Sequence, residues 1–479
     1  MKKWVIWLMV LVIAAAGCLT VLLTRDSDVP QVQFYMYVST SDPDAIRLIG
    51  EELDAYVYEK LGFHVAIHAP DDYEQTVTSE IRKGTVIDVA QYYYNIPRLA
   101  KEGLLLPLDE LLKSHGQGIL RTMKPAYLED NRLDGQLYTL PTNRDRHCIY
   151  GFVYDLEIAE RYGLDLSAVK TPADLTAVFA QLKEQAPDIT PTVIRPVATR
   201  YGIMDGLGDH CGVLKIGKDP TIVNPYETPE FEELAQLIYQ WNQAGYLVQP
   251  PLDSTSISYY LSTGKVFGAL DEGHTATVAE ENRATERRTG FIPMSINYKN
   301  SSNASRMGYV IPSTSAHPEE AMALLELMYT DTHVANLLLY GVEGVHYVRS
   351  EEDPQVLCWP ENRTPEYYKG IGIWHTCNWY IADRWEGCPA DLWQRQEQAN
   401  ETALRSPGIG FVFDSTPVSR QLQACREVVN TYLPTLQAGI LDPAQLLPEL
   451  QAALHEAGID AVIEEKQRQL DQYLLRTGG

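Results

Sequence analysis

The amino-terminal part of the chain alternates between strand-like and helix-like patterns, and no other feature constrains the fold as strongly. Apolar and polar residues alternate at 31–38 with the two-residue period of a strand, whereas 42–61 carries its apolar residues on one helical stripe. The same patterns predict a strand at 63–69, a helix at 73–82 and a strand at 86–92. Strands that alternate with helices predict a parallel sheet with helices on both faces.

A second set of short apolar runs follows the first, again separated by helical stretches. From about 417 onward the pattern is helical, and no low-complexity linker separates the units. Two α/β units in one chain predict two lobes, and we expect the chain to pass between them more than once. The predicted strands of the second unit are 149–154, 192–197, 266–270 and 290–296, and its predicted helices include 172–185 and 229–244.

Residues 1–30 are predicted to be a signal peptide or membrane tether rather than part of the fold. Two lysines precede an apolar stretch at 4–23, so the N-terminus stays cytoplasmic and the body is exported. Residues 15–18 (AAGC) are similar to a lipobox, in which Cys18 would carry lipid, but the stretch is also long enough to span a bilayer uncut. Both alternatives predict a body anchored at the outer face of the cytoplasmic membrane.

Charge and cysteine spacing exclude several classes of function. The formal net charge of −25 repels phosphate backbones, so we expect no nucleic-acid partner. The six cysteines besides Cys18 lack zinc-site spacing, and we expect neither a metal nor a cofactor. These cysteines could pair as disulfides or remain buried free thiols. No hydrolase, P-loop or dinucleotide-binding motif occurs in the sequence between the strand and helix patterns that such a motif needs. We therefore expect no enzymatic activity.

Polar and aromatic side chains follow the first and third predicted strands. Ligands of parallel sheets bind at the carboxyl ends of strands, so Ser39, Thr40 and Asp42 after the first strand are candidate ligand contacts. Tyr92 and Tyr93 at the end of the third strand are candidates for the same reason. Asp42 could instead only cap the helix that follows it, and each tyrosine could simply pack on the surface.

Five motifs resemble, in order and spacing, the family-1 extracellular solute-binding proteins of sugar importers, the group that includes maltose-binding protein. Single motifs of this kind are weak, but here they span both predicted α/β units. The motifs are 88–92 (DVAQY), 99–109 (LAKEGLLLPLD), 135–141 (GQLYTLP), 264–270 (GKVFGAL) and 307–312 (MGYVIP).

Three further segments resemble a narrower lipoprotein subgroup of these proteins, which occurs in Gram-positive bacteria and is associated with complex saccharides. They are 340–347 (YGVEGVHY), 410–418 (GFVFDSTPV) and 457–467 (AGIDAVIEEKQ). The resemblance therefore extends over nearly the whole chain after the tether and includes a distinctive C-terminal segment.

The resemblance implies an α/β, two-lobed periplasmic-binding-protein-like fold with hinge crossings and a helical C-terminal segment. Hinge crossings would lie near 141–143, 306–308 and 349–353. The first lobe would comprise 31–141 and 308–350, and the second lobe 143–306 and 352–479.

The same resemblance implies the function of the solute-binding component of an ABC transporter. Such a protein captures a small-molecule ligand, here a carbohydrate and more specifically an oligosaccharide, in the cleft between its lobes. Its partners would be two permease subunits and an ATPase of the importer, and we expect the protein to be a monomer. Two alternatives stay open, namely a glycan-cleaving enzyme and a ligand-binding adaptor for a membrane sensor.

Sugars present hydroxyls at their edges and C–H groups on their faces, so a receptor needs fixed polar groups and aromatic rings. The crossing and the aromatic stretch at 374–388 offer both kinds of group, and we expect Trp393 to belong to the core instead. The remaining candidate ligand contacts are Asn143, Arg144 and Asp145 at the first crossing, Asp271 and Asp414 near strand ends, and Trp379 and Trp385 in the aromatic stretch.

Overall fold

The computed structural model describes residues 29–38, 42–93, 95–194, 203–248, 257–304, 307–361 and 376–477. The predicted tether with Cys18, and the candidate contacts Ser39 and Thr40, lie outside these residues. No helix within the described residues is long and apolar enough to cross a membrane.

Nineteen short strands occur in the described part of the chain. They are β1 (Gln31–Tyr35), β2 (His64–His68), β3 (Val89–Tyr92), β4 (Arg132–Leu133), β5 (Gln136–Leu137), β6 (Leu140–Pro141), β7 (Ile149–Asp155), β8 (Thr190–Ile194), β9 (Met204–Asp205), β10 (Val213–Lys215), β11 (Ile222–Val223), β12 (Val266–Gly273), β13 (Thr289–Pro293), β14 (Tyr298–Lys299), β15 (Gly308–Val310), β16 (Val348–Arg349), β17 (Val356–Cys358), β18 (Arg384–Trp385) and β19 (Leu404–Arg405).

The α-helices of the described residues cover the sheets and build the C-terminal part. They are α1 (Pro43–Leu61), α2 (Tyr73–Lys83), α3 (Ile96–Lys101), α4 (Asp109–His115), α5 (Gln117–Thr122), α6 (Pro125–Glu129), α7 (Leu156–Arg161), α8 (Leu175–Gln185), α9 (Pro229–Gln243), α10 (Ile257–Ser262), α11 (Thr277–Thr285), α12 (Ser301–Ala304), α13 (Pro318–Thr330), α14 (Thr332–Tyr340), α15 (Leu392–Thr402), α16 (Ser419–Gln437), α17 (Pro443–Ala457) and α18 (Ile459–Thr477).

The first lobe is built on a five-stranded sheet with the order β2-β1-β3-β15-β6. Helix α1 begins after Asp42, whose carboxylate accepts the Asp44 N–H at 3.0 Å, and it buries Ile49, Leu53 and Val57 against the sheet. This confirms the predicted helix and its cap. The first three strands are parallel as predicted, but β15 runs antiparallel to both β3 and β6, because it carries the returning chain.

The second lobe contains a four-stranded sheet with the order β13-β7-β12-β8, which confirms the four predicted strands. Only β12 and β8 are parallel, whereas β7 is antiparallel to both of its neighbours. The expectation of a parallel sheet was therefore wrong for β7. This strand enters the lobe directly from the crossing and so starts at the edge where β8 and β12 end.

The C-terminal part is helical, as predicted, and packs on α9 of the second lobe through one apolar cluster. Leu422 and Cys425 of α16 and Leu450 and Leu454 of α17 are buried in that cluster. Pro443 opens α17 after the Asp442 cap, while Pro448 lies inside the helix and does not start a new one. The six cysteines of the described residues are free thiols.

The chain crosses from the five-stranded sheet to the four-stranded sheet between β6 and β7, and it is back in the five-stranded sheet at β15. Gly308 marks the second of these crossings: a Cβ there would lie 2.2 Å from the Leu140 carbonyl oxygen, so the strands can approach only at glycine.

The third crossing differs from the expected position near 349–353. Leu357 and Trp385 are buried in the same core cluster as Phe34 of the first lobe, although 352–479 was assigned to the second lobe. Within the described residues, α15 follows this segment, and after it Leu404 pairs with Tyr298 of β14. The division of the remaining residues between the lobes stays a prediction.

Candidate ligand-binding site

The crossing between β6 and β7 is held in place by a buried asparagine on α15. Asn400, which is 1% exposed, donates from Nδ2 to the Arg144 carbonyl oxygen at 2.9 Å and to the Tyr380 hydroxyl at 2.8 Å. Its Oδ1 accepts the Arg146 N–H at 2.7 Å and lies 2.9 Å from Nδ1 of His147. One side chain on the linking helix thus fixes the backbone on both sides of Asp145.

Four charged residues meet beside this crossing and are called here the crossing cluster: Arg144, Asp145, His274 and Glu280. Arg144 lies 3.0 Å from a carboxylate oxygen of Asp145, and Nε2 of His274 lies 3.1 Å from Glu280. Burial disfavours the Asp145 carboxylate, but Arg144 and His274 more than offset this, so the pKa of Asp145 lies below its usual value. Burial alone would lower the pKa of His274, yet Glu280 and Asp145 raise it to about 9.

Local turn chemistry brings His274 and Glu280 to the cluster. His274 is the first residue after β12, and its N–H donates to the Thr277 hydroxyl at 2.6 Å, where α11 begins. Glu280 follows on the first turn of that helix. Since β12 pairs with β7 up to Gly273 and Ile149, the end of β12 lies at the edge where the crossing enters the second lobe.

A cavity of about 380 Å³ separates α11 from the β17–β18 segment of the first lobe. We call it the tryptophan pocket and define it by Trp359, Trp385, Asn282, Arg283 and Glu386, which all line it. The two indole rings lie 4.5 Å apart, and the Arg283 guanidinium lies 5.1 Å from the centre of the Trp385 ring. The parallel pairing of Leu357 with Trp385 places both tryptophans on this wall.

The structure brings several of the predicted contacts close to these two features. Arg144 and Asp145 belong to the crossing cluster, and Asn143 pairs with Asn378 in an isolated bridge that also places Trp379 beside the crossing. Asp271 lies on β12 near Glu281, whose pKa is raised by burial and further by neighbouring carboxylates, Asp271 among them.

Trp385 lines the tryptophan pocket but is only 6% exposed and belongs to the first core cluster. Trp393, expected in the core, is half-buried and donates its indole N–H to the Ala382 carbonyl oxygen at 2.9 Å. Trp379 is half-buried against the first core, with its ring centre 6.5 Å from that of Trp393.

Other predicted contacts lie elsewhere. Tyr92 is fully buried, and its hydroxyl lies 3.0 Å from that of Thr78, so it has no surface to offer a ligand, contrary to the prediction. Tyr93 packs edge-on against Tyr37 with 4.8 Å between ring centres. Asp42 is exposed at the start of α1.

Asp414 lies on a separate cavity of about 480 Å³ between the first lobe and the C-terminal helix α18. Its carboxylate lies 3.4 Å from Lys101 and accepts the Thr416 N–H at 3.1 Å. We call this second space the C-terminal cavity; it is also lined by Tyr138, Arg468 and Tyr473. None of the residues that define the tryptophan pocket lines it.

Sequence reasoning missed His274, Glu280, Arg283, Trp359 and Asn400. His274 could have been found, because it directly follows β12, the strand that carries Asp271, at the ligand-binding edge of the sheet. The other four depend on how α11, α15 and β17 pack across the lobes, and no local pattern in the sequence encodes that packing.

Two α/β lobes, between which the chain crosses more than once, with a charged cluster and a tryptophan wall between them, define a two-lobed solute-binding protein. A family model described as "Bacterial extracellular solute-binding protein" matches residues 54–341. The chain belongs to this family. Residues 407–475 match a second model, a domain of unknown function called DUF3502, which covers most of the C-terminal helices.

Comparison with individual proteins agrees with that assignment. The chain is 27% identical over 463 residues to a "Carbohydrate ABC transporter substrate-binding protein" of Streptococcus pneumoniae serotype 4 (strain ATCC BAA-334 / TIGR4), covering 92% of this chain and 90% of the relative.

Among solved structures, the fold is similar to the N-glycan transport solute binding protein NgtS from Streptococcus pneumoniae. One NgtS structure has a TM-score of 0.83 at 24% identity and covers 94% of this chain and 100% of NgtS. NgtS in complex with Man1GlcNAc has a TM-score of 0.77 at 23% identity, with coverage of 93% and 99%.

Proposed function

We propose that this protein captures an oligosaccharide between its lobes as the solute-binding component of an ABC importer. The observation that carries the proposal is the paired wall of Trp359 and Trp385, which faces Arg283 of the other lobe across the tryptophan pocket. Aromatic faces suit the C–H surface of a sugar ring, and the charged groups beside them suit its hydroxyls. The carbohydrate-transport relative and the saccharide-bound NgtS support the same class of ligand.

The crossing cluster would supply the fixed polar groups of this site. Arg144, Asp145 and His274 are held by ion pairs and by Asn400, so they need little reordering when a ligand arrives. Each neutral hydrogen bond contributes only about 0.5–1.5 kcal/mol, so several of them must act together with stacking. A site at the crossings would also join ligand binding to a change in the angle between the lobes.

The protein would act at the outer face of the cytoplasmic membrane and deliver its ligand to two permease subunits and an ATPase. The apolar stretch and the AAGC sequence support an anchored body, with Cys18 as the candidate lipid carrier. Metabolic labelling with a fatty acid should mark the wild-type protein and not Cys18→Ser. If the wild-type protein takes up no fatty acid but still stays in the membrane fraction, the uncleaved helix is favoured as the anchor.

Binding without catalysis is the favoured form of this function, because the relative is named a transporter component rather than a glycan-cleaving enzyme. Incubation of the protein with any saccharide that it binds should leave that saccharide intact. If the wild-type protein releases shorter saccharides and the Asp145→Asn variant does not, the protein is an enzyme instead.

A thermal-shift screen of the full chain in mild detergent tests the ligand class. The panel contains monosaccharides, oligosaccharides, amino acids and peptides. A ligand at 100 times its dissociation constant adds about 2.7 kcal/mol of stability, so a true ligand raises the melting temperature visibly. We expect oligosaccharides to do so, whereas a response to peptides or amino acids alone would overturn the proposal.

A further inference from the structure

Arg283 differs from the other arginines of the tryptophan pocket because no carboxylate among the described residues lies within ion-pair distance of it. Arg287 pairs with Asp155, and Arg288 pairs with Glu160. Across the described parts of both lobes, Arg283 takes part in no ion pair, and its contact is with the face of Trp385. Its guanidinium donors are therefore available to an anion that enters the pocket.

The acid one helical turn before Arg283 is already engaged. Glu280 precedes it by three residues, but the Glu280 carboxylate lies 3.1 Å from His274. Burial raises the pKa of Glu280, but His274 and, to a smaller extent, Arg283 lower it below its usual value. Arg283 does so without forming an ion pair with Glu280. The helix thus presents a paired acid on the side of the crossing and an unpaired cation on the side of the pocket.

Trp385 adds a second feature that points to a ligand. Its side chain is more than nine-tenths buried, it lines the pocket, and its indole Nε1 has no hydrogen-bond partner in the described residues. A buried N–H without a partner costs free energy, and a ligand acceptor would recover it once the ring or its neighbours shift to expose the nitrogen. Stacking on this ring also holds the Arg283 guanidinium, so its planar edge is preorganised.

We propose that the tryptophan pocket binds a saccharide residue that carries a carboxylate, and that Arg283 recognises the carboxylate. A guanidinium matches a carboxylate with two parallel hydrogen bonds, which a sugar hydroxyl cannot accept. Glu157, Glu286 and Glu386 also line the pocket, and Glu157 is paired with Arg287. Because carboxylates repel an anion, we expect the ligand carboxylate to lie on the side of Arg283. This inference rests on the proposed function and specifies the class of its ligand.

Calorimetric titration of the full chain with matched acidic and neutral saccharides tests the inference. Suitable pairs are sialyllactose with lactose and cellobiouronic acid with cellobiose. We expect the acidic member to bind more tightly, and Arg283→Gln to weaken its binding about 10-fold or more while changing neutral binding little. Arg283→Lys, which keeps the charge but loses the planar fork, should fall between them. Arg98→Gln on α3 removes one exposed charge that does not line the pocket and is the matched control.

The possible outcomes distinguish failure of this inference from failure of the proposed function. If neutral saccharides bind as well as acidic ones, or Arg283→Gln weakens both members equally, the inference is wrong and the proposed function stands. If no saccharide of either kind binds, the proposed function fails and the inference fails with it. Circular dichroism of each variant establishes that it is folded before binding is compared.

Discussion

Arg283 of the second lobe lies over the ring of Trp385 of the first lobe, with 5.1 Å between the guanidinium carbon and the ring centre. This contact bridges the two lobes at the tryptophan pocket, away from the crossings that join them covalently. A ligand that enters here touches both lobes at once. The contact is therefore the point at which binding and the inter-lobe angle are expected to be coupled.

The two tryptophans should differ in what their loss does. Trp359→Ala should weaken saccharide binding by about 1–3 kcal/mol with a small effect on stability, because Trp359 is only partly buried. Trp385→Ala should weaken binding similarly and also lower the free energy of unfolding by about 3–5 kcal/mol, because the ring is part of the core. Calorimetric titration beside thermal melting separates the two effects. Trp393→Ala, outside the pocket, is the control, and normal binding by both pocket variants would show that the wall is structural.

Asn400 should control the geometry of the crossing. Asn400→Ala removes the groups that hold Arg144, Arg146 and His147, and it should lower the free energy of unfolding by about 1–3 kcal/mol. Saccharide affinity should fall as well, because the backbone beside Asp145 is no longer fixed. Gln398→Ala, exposed on the same helix, is the matched control. Urea denaturation and titration of both variants provide the measurement; loss of stability with unchanged affinity would limit Asn400 to a structural role.

Stability should fall as the pH rises from about 6.5 to 9, because His274 loses its proton in that range. Its pKa is about 9 in the folded protein against 6.5 for an ordinary histidine, so its contribution is complete below pH 6.5 and disappears as the pH passes 9. The shift corresponds to roughly 3 kcal/mol at most. Chemical denaturation across this range is the measurement. In His274→Gln the slope between these pH values should flatten, and an equal slope in both proteins would contradict the assignment.

The order of strands and helices could be predicted from sequence because their periods are local. The cap at Asp42, the strand β12 and the C-terminal helices are examples. The direction of β7 and the place of β17 and β18 could not, because both depend on which lobe the chain returns to. Tyr92 shows the same limit at the site: its strand was predicted correctly, yet the ring points into the core beside Thr78.

Binding should close the lobes. Small-angle scattering of the full chain in detergent, with scattering from the detergent matched out, should show a smaller radius of gyration at saturating saccharide. At the same saccharide concentration, the radius of gyration of Trp359→Ala should decrease less, because a smaller fraction of this variant has saccharide bound. An unchanged radius at proven saturation would contradict closure while leaving binding itself intact.

Hydrogen exchange with and without the best saccharide from the screen tests the location of the ligand most directly. We predict slower exchange of bound protein at 142–148, at 274–286 and at 376–388, which include the crossing cluster and residues of both walls of the tryptophan pocket. The segments 410–417 and 465–476, which line the C-terminal cavity, should change little. Protection confined to those last two segments would place the ligand in the C-terminal cavity and contradict the account.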